Sequence, residues 1–159
     1  MFLEIRPAPP QDVGAMAKLI NEIIAIGGTT AHTEPFDEAG IIDTFIAPRL
    51  AISCFVAVNG SEIVGFQSLE WADPEWPGED PLPADWAVIA TYVDPHAHKM
   101  GIGRSLFAET AKAAKAAGAV FIDATIRKEN KGGQAYYQTM GFRDYREGTA
   151  TISKRYSLG

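Results

Sequence analysis

A chain of 159 residues, 47% hydrophobic and 21% charged, has the length and balance of one globular unit around one continuous core. Its net charge of −6 argues against general nucleic-acid binding, which needs basic surface for phosphates, and no apolar run is long enough to span a bilayer. The opening "MFLEIRPAPP" carries an acid and prolines where a secretory leader would need a basic patch and an apolar run. A cytoplasmic protein with one domain over residues 1–159, and no membrane partner, is expected.

In chain order, "FLEIRPA" is an opening strand. "PPQDVGAMAKLINEIIAIGG" then places Val13, Met16, Ala17, Leu19, Ile20, Ile23 and Ile24 at helical spacing before Gly27 and Gly28 close it. "TTAHTEPF" is a polar connection, and "DEAGIIDTFIAP" a short second helix stopped by Pro48. Two strands, "AISCFVAVNG" and "SEIVGFQSLEW", flank the hairpin signal "NGS". Residues 72–85 hold four prolines and several acids and form no regular element. "WAVIATYVD" is a strand, and "GIGRSLFAETAKAAKAAG" a helix with Ile102, Leu106, Ala113 and Ala117 toward one side. The strand "AVFIDATI", the short helix "KGGQAYYQTMG" and the strands "FRDYREG" and "TISKRYSL" complete the chain. The order β-α-α-β-β-β-α-β-α-β-β is most economically buried as an α/β (α+β) fold, a mixed sheet of about seven strands with helices on both faces.

Cys54 is the only cysteine, so the chain cannot close an intrachain disulfide; its place in "ISCFVAV" makes it a small buried core residue. His32, His96 and His98 lack the spacing of a zinc motif on one helix face, and no metal is expected.

The stretch "YVDPHAHKMGIGRSL" puts a glycine-containing loop between a strand and a helix. The first helical turn offers backbone N–H groups with no intrahelical partner and the positive end of the helix dipole. Glycine lets a ligand approach that backbone closely, and Lys99 and Arg104 add local positive charge, so phosphate is the natural occupant. No Walker string is present, and Leu106 stands where a dinucleotide fingerprint needs its third glycine.

Taken together, Val93-Asp94-Pro95 followed by His98-Lys99-Met100-Gly101-Ile102-Gly103-Arg104 resembles the signature loop of the GNAT acyltransferase superfamily, [RQ]-x-x-G-x-[GA] after a strand ending V-x-P, with His98 in place of the usual Arg or Gln. "NKGGQAYYQTMGF" resembles the family's N-x-x-A-x-x-x-Y-x-x-x-G-F, with Asn130, Tyr137, Gly141 and Phe142 in register and Gly133 replacing alanine. "NEIIAIGGTTAHTEPF" resembles the phosphinothricin acetyltransferase-like branch. The likeness implies a twisted GNAT sheet whose central parallel strands splay to admit acetyl-CoA. Thr91, Tyr92 and Val93 would bond the pantetheine arm, residues 98–104 the pyrophosphate, and Asn130 the cofactor's far side, by its amide or by ordering the loop.

The implied reaction moves an acetyl group directly to the primary amine of a small molecule such as an amino acid or analogue. The amine must be neutral to attack, charge on the carbonyl oxygen needs a donor, and the thiolate benefits from a proton. By resemblance, Tyr137 is the acid near the sulfur and a strand N–H around Val93 the oxyanion donor; Tyr136 reads as a core aromatic. The branch's glutamate on the strand before the loop aligns with Val88, so the base is open among Glu70, Asp85, Glu34, His32 and water, with Glu70 the residue taken forward. Residues 28–37 and 72–85 are the candidate walls of the acceptor pocket; the second segment, with its acids and with Trp71, Trp76 and Trp86 in or beside it, equally suits a cap over the core or a dimer contact. A protein or peptide N-acetyltransferase and a non-catalytic acyl-CoA-binding module are the alternatives. The family's frequent dimerisation extends to a homodimer through the C-terminal strands.

Overall fold

The computed structural model describes residues 3–78, 81–97 and 101–159. His98, Lys99 and Met100 of the expected phosphate loop, and Glu79 and Asp80 of the proline-rich segment, lie outside the described residues.

The chain runs β1 (Leu3–Pro7), α1 (Val13–Ile26), α2 (Glu38–Ile41) continuing into a π-helical turn (Ile42–Ile46), β2 (Ala51–Asn59), β3 (Glu62–Trp71), β4 (Trp86–Val93), α3 (Ile102–Ala117), β5 (Phe121–Arg127), α4 (Lys131–Met140), β6 (Arg143–Glu147) and β7 (Thr151–Ser157). The seven strands form one sheet in the order β1-β2-β3-β4-β5-β7-β6. Every neighbouring pair is antiparallel except β4 with β5. The expected mixed sheet and element order are therefore what the chain forms. No helix among the described residues is long and apolar enough to cross a membrane.

Strand alternation sends successive side chains to opposite layers. Val56 and Val58 pack with Met16, Leu19 and Ile20 of α1, whereas Ala57 between them packs with Ile102 and Leu106 of α3. Fully burying a side chain such as Ile20 contributes roughly 1.5–3 kcal/mol. On β5, Ile122, Ala124 and Ile126 meet Phe107, Tyr137 and Phe142 in a second cluster. The opposite face of β5 is polar. Asp123 and Thr125 bond Tyr145 and Ser153 of the neighbouring strands instead of packing under a helix. Cys54 is buried, and burial pushes its thiol up to about 12, which leaves it inert.

One expectation is corrected. The buried seam of α3 is Ile102, Leu106, Phe107, Thr110 and Ala114; Ala117 is exposed and Ala113 only partly covered. Ala113, Ala114 and Ala117 are equally small and apolar, so periodicity alone does not choose among them. Phe107, fully committed to the β5 cluster, sets the rotation.

Candidate active site

The parallel pair β4–β5 is joined only at its beginning, through Trp86↔Phe121, Ala87↔Ile122 and Val88↔Asp123. Beyond that rank β4 continues five residues to Val93 and β5 four to Arg127 without pairing to each other. The strands thus part in a fork, and a cavity of about 490 Å³ opens between them.

The backbone of β4 presents polar groups to this gap. Ala72 N–H bonds the carbonyl of Trp86, and Asp94 N–H bonds the carbonyl of Val64, so even-numbered residues of β4 face β3. Alternation then turns the N–H and C=O groups of Ile89, Thr91 and Val93 toward β5. Past the fork no strand among the described residues meets them. Of the three residues expected on the pantetheine arm, Thr91 and Val93 have the required backbone orientation. Tyr92 does not: its peptide groups face β3, and its ring lines the cavity beside Phe45 and Phe66 instead.

The described part of the glycine loop opens α3. Gly101 is its N-cap in the left-handed region (φ 69°), and the N–H groups of the following turn have no intrahelical acceptor. Gly103 is there for space: a Cβ would lie 2.6 Å from the Tyr136 ring. Tyr136, expected as a core aromatic, packs against the β5 cluster, and its hydroxyl also links this turn to the cavity it lines. Its hydroxyl donates to the Gly103 carbonyl (2.7 Å) and accepts from Gln67 (3.0 Å). Ile102 is buried as the turn's anchor, and Arg104 is exposed.

Asn130 caps α4. Its Oδ1 accepts from Gly133 N–H (2.8 Å) and its amide donates to the Thr29 carbonyl (3.0 Å). A Cβ on residue 133 would meet the Asn130 amide at 2.5 Å, which accounts for glycine at a position where the motif has alanine. Arg127 donates to the Thr30 carbonyl (3.1 Å), and Thr30 is hydrogen-bonded to Tyr92. The segment after α1 is thereby strapped across the open fork by residues from β4, β5 and α4. Both side-chain ends of the Asn130 amide are committed to this ordering.

Tyr137 is buried in the cavity wall, with its hydroxyl 2.8 Å from Thr91 Oγ1. Burial pushes its pKa well above the ordinary phenol value, so it carries its proton at any working pH. Tyr136 is pushed up to about 12 by the same cause. Gln67, wholly buried on β3, donates to both Thr91 (2.9 Å) and Tyr136. Sequence reasoning missed it; the available signal was an amide amid the apolar residues of a strand covered on both sides.

A second cavity of about 550 Å³ lies on the other side of the fork. Val88, Asp123 and Thr125 form its floor, and Thr125 lines both cavities. Trp71, Ala72, Asp73, Trp76 and Leu82 contribute a wall, so the proline-rich segment borders it. Trp86 does not; it stacks on Phe121 (4.8 Å between centroids) under the Arg155 guanidinium. Glu70 also lines this cavity. Its carboxyl is half-buried, and burial first, then Asp73, raises its pKa above the ordinary carboxylate range. It has no hydrogen-bond or ion-pair partner among the described residues, while Asp73 is paired with Arg49 (3.2 Å). Asp123 is raised by burial too, and Tyr145 donates to it (2.5 Å).

The other base candidates are placed differently. Asp85 and Glu34 are exposed and border neither cavity, whereas His32 borders the first, its ring edge-on to Phe36 and its pKa lowered by burial. Among the described residues, Glu22, Asp94 and His96 bring potential metal-ligand atoms within 4.8 Å of one another. They bond each other, His96 Nε2 to Glu22 at 2.7 Å and His96 N–H to Asp94 at 2.9 Å, and so tie α1 to the loop before α3.

The fold has known counterparts. An N-acetyltransferase from Staphylococcus aureus Mu50 superposes with a TM-score of 0.82 over 100% of both chains at 20% identity. A GNAT superfamily phosphinothricin acetyltransferase from Sinorhizobium meliloti, solved in complex with acetyl-CoA, gives 0.81 over 100% of this chain and 90% of that one at 19% identity. A ribosomal-protein-alanine N-acetyltransferase from Brucella melitensis gives 0.76 over 98% and 99% at 20% identity. Those likenesses carry the GNAT fold. Residues 15–142 match the acetyltransferase (GNAT) family itself, and with that span of the chain matched, the protein belongs to this family of N-acetyltransferases.

Proposed function

We propose that the protein transfers an acetyl group from acetyl-CoA to the primary amine of a small molecule, with the cofactor in the cavity between β4 and β5 and the amine in the cavity floored by Val88. The observation that carries this reading is the fork itself. It joins two cavities at Thr125, one lined by the buried Tyr137, the other by the unpartnered Glu70 carboxyl.

The residues present fit acetyl-CoA. Thr91 and Val93 turn unpaired peptide groups into the gap, and the first turn of α3 offers free N–H groups for pyrophosphate. When bound, the cofactor supplies an acyl carbon activated by a thiolate leaving group. Val93 N–H donates to the acyl oxygen as charge collects there. Tyr137 gives its proton to the sulfur. Glu70 takes a proton from the incoming ammonium, and its raised pKa makes it a stronger base than an exposed glutamate.

The acceptor is a small, singly cationic amine with an apolar body. A volume of about 550 Å³ suits a small molecule, and Trp71, Trp76 and Leu82 offer apolar surface. Glu70 is the carboxylate on this wall left unpaired among the described residues, because Asp73 is held by Arg49. The test is thiol release from acetyl-CoA at mildly alkaline pH across amino acids, their sulfoximine and phosphinic analogues, polyamines and short peptides. Release with one class of small monoamine is expected. Release with peptides alone would replace this reading by that of a peptide N-acetyltransferase, and release with none, in a protein that binds acetyl-CoA, would overturn the transfer step.

A further inference from the structure

The protons around Tyr136 and Gln67 can be assigned by counting. The Gly103 carbonyl only accepts, so its 2.7 Å contact takes the single proton of Tyr136. The Tyr136 oxygen must then accept from Gln67 at 3.0 Å, which puts the amide nitrogen of Gln67, not its oxygen, at that point. The same nitrogen directs its second proton to Thr91 Oγ1 at 2.9 Å. Thr91 keeps one proton of its own; its hydroxyl lies 2.8 Å from the Tyr137 oxygen and is also hydrogen-bonded to Tyr136, whose oxygen already accepts from Gln67. A Thr91 hydroxyl that donates to Tyr137 leaves the Tyr137 proton for the cavity.

The orientation of Gln67 is imposed at a cost. Its side chain is wholly buried and its Oε1 has no partner among the described residues. A buried carbonyl oxygen without a donor lowers stability, and an apolar side chain of equal size would avoid the loss. What the amide provides in exchange is two donors at a place where both neighbours need to accept.

We infer that Gln67 is a positioning residue: through Thr91 it holds Tyr137 as a donor toward the cavity, and through Tyr136 it ties that direction to the first turn of α3. The inference rests on the reading of Tyr137 as the acid. In the step it serves, the C–S bond breaks with both electrons going to sulfur, the sulfur takes the Tyr137 proton, and the phenolate left behind accepts the Thr91 O–H until water returns a proton. Gln67→Glu, nearly the same shape but able only to accept when ionised, draws the Thr91 proton to itself. Thr91 then accepts from Tyr137, and the donor order reverses.

The experiment compares binding of coenzyme A and desulfo-coenzyme A by calorimetry at pH 9, where the free thiol ionises, and needs no acceptor amine. Wild-type protein should prefer coenzyme A by about tenfold, the effect of one added hydrogen bond to a charged sulfur. Gln67→Glu should abolish the preference with desulfo-coenzyme A affinity held within about twofold, the neutral Gln67→Met should lose part of it, and Thr91→Val should abolish it with Thr91→Ser recovering most of what is lost. Retention of the full preference in Gln67→Glu and Gln67→Met, with its loss in Tyr137→Phe, would overturn the inference and leave the acid reading standing. Persistence of the preference in Tyr137→Phe would overturn both. Equal loss of affinity for the two ligands in the Gln67 variants would reduce Gln67 to packing, and overturn the inference alone.

Discussion

Glu70 on β3 stands directly across from Val88 on β4, on the same face of the sheet. Side chains so paired have their Cβ atoms about 4.5–5.5 Å apart. The glutamate that the resemblance to the phosphinothricin acetyltransferase-like branch implies on the strand before the loop is Val88 here, and a carboxylate one strand over reaches into the same cavity. Asp123, the partner of Val88 on its other side, is already held by Tyr145 and Thr125. Glu70→Gln should therefore lower turnover by about 100-fold with little change in acetyl-CoA affinity. In a pH profile of kcat/KM, the limb belonging to Glu70 should lie above the ordinary carboxylate range and vanish in the variant, while the limb of the substrate amine remains. A profile unchanged in shape would remove Glu70 from the reaction.

The cross-strand relationship also predicts a rescue. Moving the carboxylate across the pair, as Glu70→Gln with Val88→Glu, should return at least about tenfold of the lost turnover, because the new carboxylate starts from the adjacent position on the same face. Steady-state kinetics of the double variant against Glu70→Gln decide it. No recovery, in a variant that still binds acetyl-CoA, would mean that the exact approach of the Glu70 side chain matters more than the rank it occupies.

Tyr137→Phe removes one oxygen from a side chain otherwise packed against Phe142 (5.0 Å between centroids). The expected outcome is a loss of about 100-fold in kcat and a change of less than about threefold in the Michaelis constant for acetyl-CoA. Equal kcat for variant and wild type would exclude Tyr137 as the acid.

Much of this site was legible in the sequence because each legible part rests on a local rule. Gly101 and Gly103 mark a helix start that can receive an anion, and Tyr137 is singled out from its neighbour by resemblance to the family motif that runs from Asn130 to Gly141. The hairpin at Gly60, the breaks at Gly118 and Gly141 and the alternating strands are equally local. The parts that were not legible depend on which strands become neighbours. Glu70 entered as one of several candidates because only the β3–β4 register brings it beside Val88. Gln67 and the hydroxyl of Tyr136 acquire meaning from a contact between residues 69 apart in the chain. The face of α3 was misjudged because four alanines between Ala108 and Ala117 give a hydrophobic pattern with no preferred side, and a single phenylalanine decides it.

Gly103 tests the link between the cofactor turn and the tyrosines. A methyl group there would approach the Tyr136 ring to 2.6 Å, so the ring must move and its hydroxyl leaves the Gly103 carbonyl. Overpacking of this kind costs about 1–3 kcal/mol. Gly103→Ala should lower the melting temperature by roughly 2–12 °C for a domain of this size and raise the Michaelis constant for acetyl-CoA. A stable variant with unaltered acetyl-CoA kinetics would show that the ring and the turn are not coupled.

Asp123 supplies a prediction about stability and pH. Its folded-state pKa is raised, burial outweighing the donors Tyr145 and Thr125 and the nearby Arg146 charge. A carboxyl that binds its proton more tightly when folded favours the folded state while protonated, and that contribution is lost as pH rises from the ordinary aspartate value through the raised one. Stability should accordingly fall over that window, against the rise that paired carboxylates such as Glu147, held low by Lys128, provide at lower pH. Asp123→Asn keeps an oxygen for the Tyr145 hydroxyl but has no proton to lose. Urea unfolding at intervals between pH 4 and pH 8 should show the downward slope in the wild type and a flatter profile in Asp123→Asn. The same slope in both proteins would place the titrating group elsewhere, and Asp123 would then not be the carboxyl that binds its proton more tightly on folding.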